Sequence, residues 1–164
     1  LTEPNEQSGS ALTFPTVGRW RVTALPGGWM YIAKFGIKQM TADPLVIPAN
    51  VSLGEDTLSA PDGLPAYIAA QEKLIQSHLL LPRMAGPQLM PFAGADEAYL
   101  FFVRHTPNEA GNMIHVQQYI RAGLWVGIIT LTTLESQLQA VRPAYESFAK
   151  GLRIIPLQEA SVPR

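Results

Sequence analysis

The chain has 164 residues, 12 Lys or Arg against 13 Asp or Glu, a formal net charge of −1, 47% hydrophobic and 15% charged residues, and no cysteine. That length makes about one domain with a real core, and the scattered charges lack the basic stripe that nucleic-acid phosphates or an anionic membrane surface demand. A cysteine-free sequence excludes disulfides, thiolate metal sites, a cysteine nucleophile and a retained lipoprotein cysteine within these residues.

The low charged fraction suggests that some apolar surface meets a partner. A membrane-spanning helix needs about twenty apolar residues. The longest apolar stretch, Leu124–Leu134, is short and broken by Gly127. The first residue is Leu1 rather than Met. That start suits a removed upstream segment or a trimmed chain, and a lost signal peptide fits it.

Leu1–Ala11 is polar and contains Pro4, Ser8, Gly9 and Ser10, so it reads as a disordered leader. The expected organisation is a leader over residues 1–13 and a single domain over 14–164. Arg19–Ala24 alternates Trp20, Val22 and Ala24 against Arg19, Arg21 and Thr23, the pattern of a half-buried strand. Pro26-Gly27-Gly28 signals a turn, and Trp29–Ile37 follows as a second strand or an irregular edge. Leu45–Leu53 reads as a strand in which Pro48 forces an edge or a bulge.

Leu64–Leu80 is the clearest helix. Leu64, Tyr67, Ile68, Leu74, Ile75 and Leu79 mark one face at helical spacing. Asp62 offers an N-cap, Pro65 fits the first turn, and Pro82 stops the helix. Gln88–Phe92 is a short strand, turned back by Ala93-Gly94-Ala95-Asp96. Three strands rich in aromatic and β-branched residues follow: Ala98–His105, Met113–Arg121 and Leu124–Thr132. Thr132-Thr133-Leu134-Glu135 fits a capping box that opens a short helix over Thr133–Val141. Pro143 disfavours the helical region at Arg142, which predicts a break and a second helical piece ending near Gly151, with Tyr145, Phe148, Ala149 and Leu152 inward. The order predicts an α+β domain, an antiparallel β-sheet with helices packed on it.

No nucleophile elbow, dinucleotide loop or phosphate-binding loop occurs, so the sequence carries no catalytic motif and implies no cofactor. Asp96 and Glu97 are adjacent, and neighbours on a strand face opposite ways, so they are not an acid–base pair. Glu55-Asp56 reads as a solvated turn. His78, His105 and His115 are the only histidines. His105 and His115 could be strand neighbours across the Pro107–Asn112 loop, as polar-face residues or as ligands or acid–base groups. No His/Asp/Glu trio has zinc-ligand spacing, so no metal site is expected.

On Met113–Arg121, residues Met113, His115, Gln117, Tyr119 and Arg121 share one face. Ile114, Val116, Gln118 and Ile120 share the other, the expected core face under the helices. The first face suits recognition of a peptide or helix, or is an ordinary solvated sheet face. Gln71 lies on or beside the apolar stripe of the helix, where an amide wants a partner. Trp20, Trp29 and Trp125 read as core or rim, and Trp29, just after the Gly27-Gly28 turn, is also a candidate exposed anchor.

Several stretches, in order, resemble a known family. They are Leu25-Pro26 with Trp29, Pro48–Leu53, Leu64–Gln71, Phe92–Ala98, Val116–Tyr119, Ile129–Thr133 and Pro143-Ala144-Tyr145. Over roughly residues 17–155 the chain resembles the DcrB-like group of the PsbP-like superfamily, and most closely the effector-associated (Eag) chaperones of bacterial type VI secretion. The resemblance implies a PsbP-like α+β fold, no catalysis and often a homodimer. It also implies a cytoplasmic protein that holds the apolar transmembrane segments of a secreted effector. Gln71 and Gln117 match the motif glutamines, and Ser52 matches a strand serine. Face geometry adds Ile47, Val51, Met113 and Tyr119 as candidate partner-binding residues. The alternative implied by the DcrB-like group is a periplasmic envelope protein of structural or assembly function.

Overall fold

The computed structural model describes residues 16–32, 36–43, 46–109 and 111–156, so the predicted leader lies outside the described residues. In chain order the elements are β1 (Thr16–Val17), β2 (Trp20–Arg21), β3 (Trp29–Ile32), β4 (Gly36–Gln39), β5 (Asn50–Thr57) and α1 (Leu64–His78). There follow β6 (Arg83–Leu89), β7 (Glu97–Asn108), β8 (Gly111–Ala122), β9 (Trp125–Leu134), α2 (Leu138–Gly151) and β10 (Arg153–Ile154). The main sheet has seven strands in the order β3-β4-β5-β9-β8-β7-β6, and a small sheet of three has the order β1-β2-β10. Every pairing is antiparallel. This is the predicted α+β class.

The three predicted meander strands are present and longer than predicted, as β7, β8 and β9. Other expectations shift. The Arg19–Ala24 strand is reduced to β2, although Trp20 and Val22 are buried as its alternation requires. The Trp29–Ile37 stretch divides into β3 and β4, which pair with each other. The Leu45–Leu53 strand begins only at Asn50, beyond Pro48, whose missing N–H suits it to the approach rather than the ladder. Glu55 and Asp56 lie in β5 instead of a turn. The Gln88–Phe92 strand moves back to β6.

Helix ends also differ. Gly63, not Asp62, occupies the N-cap of α1, without a side-chain cap, while Pro65 sits in the first turn as predicted. The capping box does not form, because β9 runs on through Leu134. Thr132 there belongs to the sheet, with its hydroxyl 3.0 Å from His115 Nδ1. The Glu135 carboxylate instead takes Arg104 and Asn112, at 2.9 and 2.8 Å, at the head of a 3₁₀ turn. Nor does Pro143 break the last helix, since α2 runs continuously through it. Proline removes a single N–H, to the carbonyl four residues back. The stripe of Val141, Tyr145, Phe148 and Leu152, all buried, holds the helix to the sheet across that gap.

The two helices lie on opposite faces of the main sheet, whereas the sequence suggested one covered face. α2 packs on the face carrying Val116 and Ile120, together with Trp20, Val51, Leu131 and Phe148. α1 packs on the other through Leu64 and Ile68, against Phe101, Val103, Tyr119 and Val126. Each fully buried Leu, Ile or Phe contributes about 1.5–3 kcal/mol. Trp20 meets Trp125 edge to face at 5.2 Å and donates its indole N–H to the Gly54 carbonyl at 3.2 Å. Gly127 makes that packing possible, because a Cβ there would lie 2.3 Å from both indole rings. Trp29, the candidate exposed anchor, is buried in the α2-side core.

Candidate functional site

α1 covers only part of its sheet face. Leu64 and Ile68 are sealed against the sheet, but Leu74, two turns on, is 51% exposed. Beneath this second half lies a cleft of about 320 Å³ between Leu74, Ile75, His78 and Leu79 on one side and Val103, His115 and Gln117 on the other.

Strand register extends the floor of this cleft across the sheet. One row on the α1 face reads Ile32, Gly36, Ser52, Thr130, Gln117 and Phe101, each directly opposite the next. The next row reads Met30, Lys38, Asn50, Thr132, His115, Val103 and Met84. The central side chains of both rows, from β4 to β8, are polar and half-buried, Gly36 excepted. Apolar groups bound this polar strip, with α1 and Val103 on one side and Met30, 47% exposed, on the other.

Hydrogen bonds fix the floor. Tyr119 donates its hydroxyl to Gln117 Oε1 at 2.9 Å, which leaves the Gln117 NH₂ group facing the cleft as a donor. Tyr119 packs edge to face on Tyr67 at 6.1 Å, and Tyr67 donates to Asp56 at 2.9 Å. Burial pushes the Tyr119 phenol up to about 12, and burial followed by Asp56 pushes Tyr67 higher still, so both remain donors.

His105 and His115 meet as the sequence suggested, with their Nε2 atoms 2.9 Å apart and their rings within 11° of parallel. One ring must present an N–H and the other a lone pair. Burial lowers both pKa values, and for His115 the neighbouring His105 lowers it further. The pair is therefore neutral near pH 7, its facing nitrogens spent on each other. Among the described residues no group of three or more His, Asp or Glu side chains could hold a metal ion.

Of the sequence-derived residues, Gln117 lines the cleft and Ser52 lies in its row. Gln71 does not line the cleft, but it shares a helical stripe with Leu74, Ile75 and His78, three, four and seven positions on. Met113 continues the His115–Gln117 face toward Leu134. Ile47 is exposed before β5 begins, outside both rows. Val51 points to the opposite face and is fully buried under α2, because it neighbours Ser52 on a strand and cannot share its direction. Tyr119 is on the right face but is 2% exposed beneath α1, so it supports Gln117 from below. Asn50, Thr130 and Thr132 are not marked in the sequence as parts of a binding face. The alternation along β9 marks the threonines, but only the β5–β9 register aligns them with Ser52 and Gln117.

No family model matches the chain, and no curated protein does. Solved structures do. The chain is similar to the Pseudomonas aeruginosa protein PA94, of unknown function, with a TM-score of 0.63 and 20% identity over 85% of this chain and 99% of that one. It is similar to LpqN, involved in cell envelope biogenesis of Mycobacterium tuberculosis, with a TM-score of 0.62 and 15% identity over 84% of this chain and 83% of that one. It is also similar to the cyanobacterial PsbP (CyanoP) of Synechocystis sp. PCC 6803, with a TM-score of 0.53 and 11% identity over 86% of this chain and 89% of that one. At these identities the likeness is one of fold: the chain has the antiparallel α+β architecture of PsbP-like structures.

Proposed function

We propose that this chain is a non-catalytic chaperone or adaptor of the Eag kind, which holds apolar transmembrane helices of a type VI secretion effector in the cytoplasm. The observation that supports it is the half-covered sheet face, a polar strip of Ser52, Thr130, Gln117, Asn50, Thr132 and His115 beside the apolar second half of α1. An effector helix in water exposes apolar surface, and covering it gains about 25 cal/mol per Å². Leu74, Ile75 and Leu79 supply that cover, as a groove does for an amphipathic helix. The amide of Gln117 and the hydroxyls of Ser52 and Thr130 satisfy polar or backbone groups of a helix lying close to the sheet. Gln71 serves the same purpose from the helix side. A homodimer, as the resemblance implies, would present two such faces to an effector with several apolar segments.

The test is binding of a fluorescent peptide carrying one apolar effector-type helix. Gln71→Ala with Gln117→Ala should weaken it about tenfold, the worth of two net hydrogen bonds at about 0.5–1.5 kcal/mol each. Wild-type protein that binds no such peptide would end this reading, and so would a double variant that binds as wild type does.

A second reading is favoured by the likeness to LpqN, an envelope-biogenesis protein. On it the chain is a periplasmic envelope protein of structural or assembly function. Fractionation of cells expressing the complete gene separates the two, since recovery from the periplasm supports the second and recovery from the cytoplasm the first.

A further inference from the structure

The opposite face of the main sheet carries a larger opening. α2 and the Met90–Ala93 connection stand apart over β7 and β8 and leave a groove of about 540 Å³. This is within the size range of small-molecule sites. Its floor is Leu100, Phe102, Val116 and Leu131. Val116 and Gln118 point away from His115 and Gln117 on the same strand, so the groove is separate from the cleft under α1.

Two polar side chains in it are poorly satisfied. Tyr145 lines the groove and is only 8% exposed, and its hydroxyl has no hydrogen-bond partner. Gln118 is 5% exposed, and its amide N–H reaches the Met90 carbonyl at a long 3.5 Å. Buried polar groups are normally satisfied, so the unpartnered Tyr145 hydroxyl is a donor open to a ligand atom that reaches it from the groove. The rim is basic. Arg142, Lys150 and Arg153 border the groove against one carboxylate, Glu146, which Arg142 holds at 2.7 Å. Lys150 has no close ion pair among the described residues, although it adds to Arg142 in holding the Glu146 pKa down.

We propose that this groove binds a single-chain anionic amphiphile, a long-chain carboxylate. The chain lies on the Leu100–Phe102–Val116 floor and the carboxylate sits at Lys150, with the Tyr145 hydroxyl as a hydrogen-bonding partner. An uncharged chain would satisfy the floor but not the rim, and a small anion the rim but not the floor.

The experiment is titration calorimetry of delipidated full chain with dodecanoate and with dodecanol, each below its aggregation concentration. The expected result is saturable one-to-one binding of dodecanoate. Lys150→Glu, a surface change, should weaken dodecanoate about tenfold, a loss of charge attraction of about 1.4 kcal/mol, and leave dodecanol unchanged. Tyr145→Phe should weaken dodecanoate several-fold without lowering the melting temperature, because the deleted hydroxyl has no protein partner. Absence of saturable binding overturns the proposal. Dodecanoate binding that is equal in wild type and both variants overturns it as well, because the chain is then partitioning elsewhere. Displacement of the apolar peptide of the preceding section by dodecanoate also overturns it, since the two ligands would then share a site. The peptide reading stands or falls separately, on Gln71 and Gln117.

Discussion

His105 and His115 show how a sheet can hold two ionisable rings without a charge. In the unfolded chain each imidazole titrates near its ordinary 6.5, and in the fold burial lowers both. Below that value the unfolded chain takes up more protons than the native one, so acid favours unfolding. The contribution of the pair is therefore complete above about pH 6.5 and is lost progressively as pH falls. The carboxylates whose pKa values the fold depresses, Glu135 through Asn112 and Arg104 and Glu146 through Arg142, have an ordinary value of 4.5 and act further down. Urea unfolding between pH 8 and pH 5 should show stability declining below 6.5 in wild type. The decline should be shallower in His105→Gln/His115→Gln. Equal slopes in the two proteins would show that these rings are not its source.

Elements of this fold differ in how far their residues announce them. β7, β8 and β9 are legible because aromatic and β-branched residues run unbroken between turn signals, and α1 is legible because Leu64, Ile68 and Ile75 recur at helical spacing. The beginning and end of β5 are not, because Pro48 and the Glu55-Asp56 pair look like interruptions until β9 is alongside to pair with Thr57. The capping box at Thr132 fails for a related reason. A local signal competes there with a cross-strand partner, His115, and the partner wins. Pro143 is the third case, a local breaker overridden by an apolar stripe. If the stripe carries that cost, Pro143→Ala should restore the bond to the Gln139 carbonyl and raise stability by about 1–3 kcal/mol. Chemical denaturation measures it, and an unchanged or lowered midpoint would show that the proline is already accommodated without cost.

At the scale of the molecule, the sheet divides the buried interior into two cores, one on each face. Ile68→Val on the α1 side and Phe148→Leu on the α2 side should each cost about 1 kcal/mol, and together their sum to within about 0.5 kcal/mol. Denaturation of the single and double variants tests this, and a coupling larger than that would mean that the faces communicate through the strands. The candidate site divides in the same way between what the sequence shows and what it hides. Gln117, which lines the cleft, and Ser52, in its row, are among the residues the resemblance singles out, whereas Gln71 does not line the cleft. The row that joins Ser52 to Gln117 through Thr130 depends on pairing between strands some seventy-five positions apart, which no local pattern encodes.

That same pairing bears on the history of each molecule. β3, β4 and β5 form a local ribbon, but the neighbour that completes it is β9, and β2 is completed only by β10. Contacts so distant along the chain form slowly, after the entropy of closing long loops has been met. During synthesis β5 therefore waits with one row of backbone groups unpaired while α1 and the β6–β8 meander are being made. An open strand edge of this kind invites pairing with another chain. A protein proposed to shelter exposed apolar segments of others thus passes through a stage in which its own unfinished edge needs sheltering.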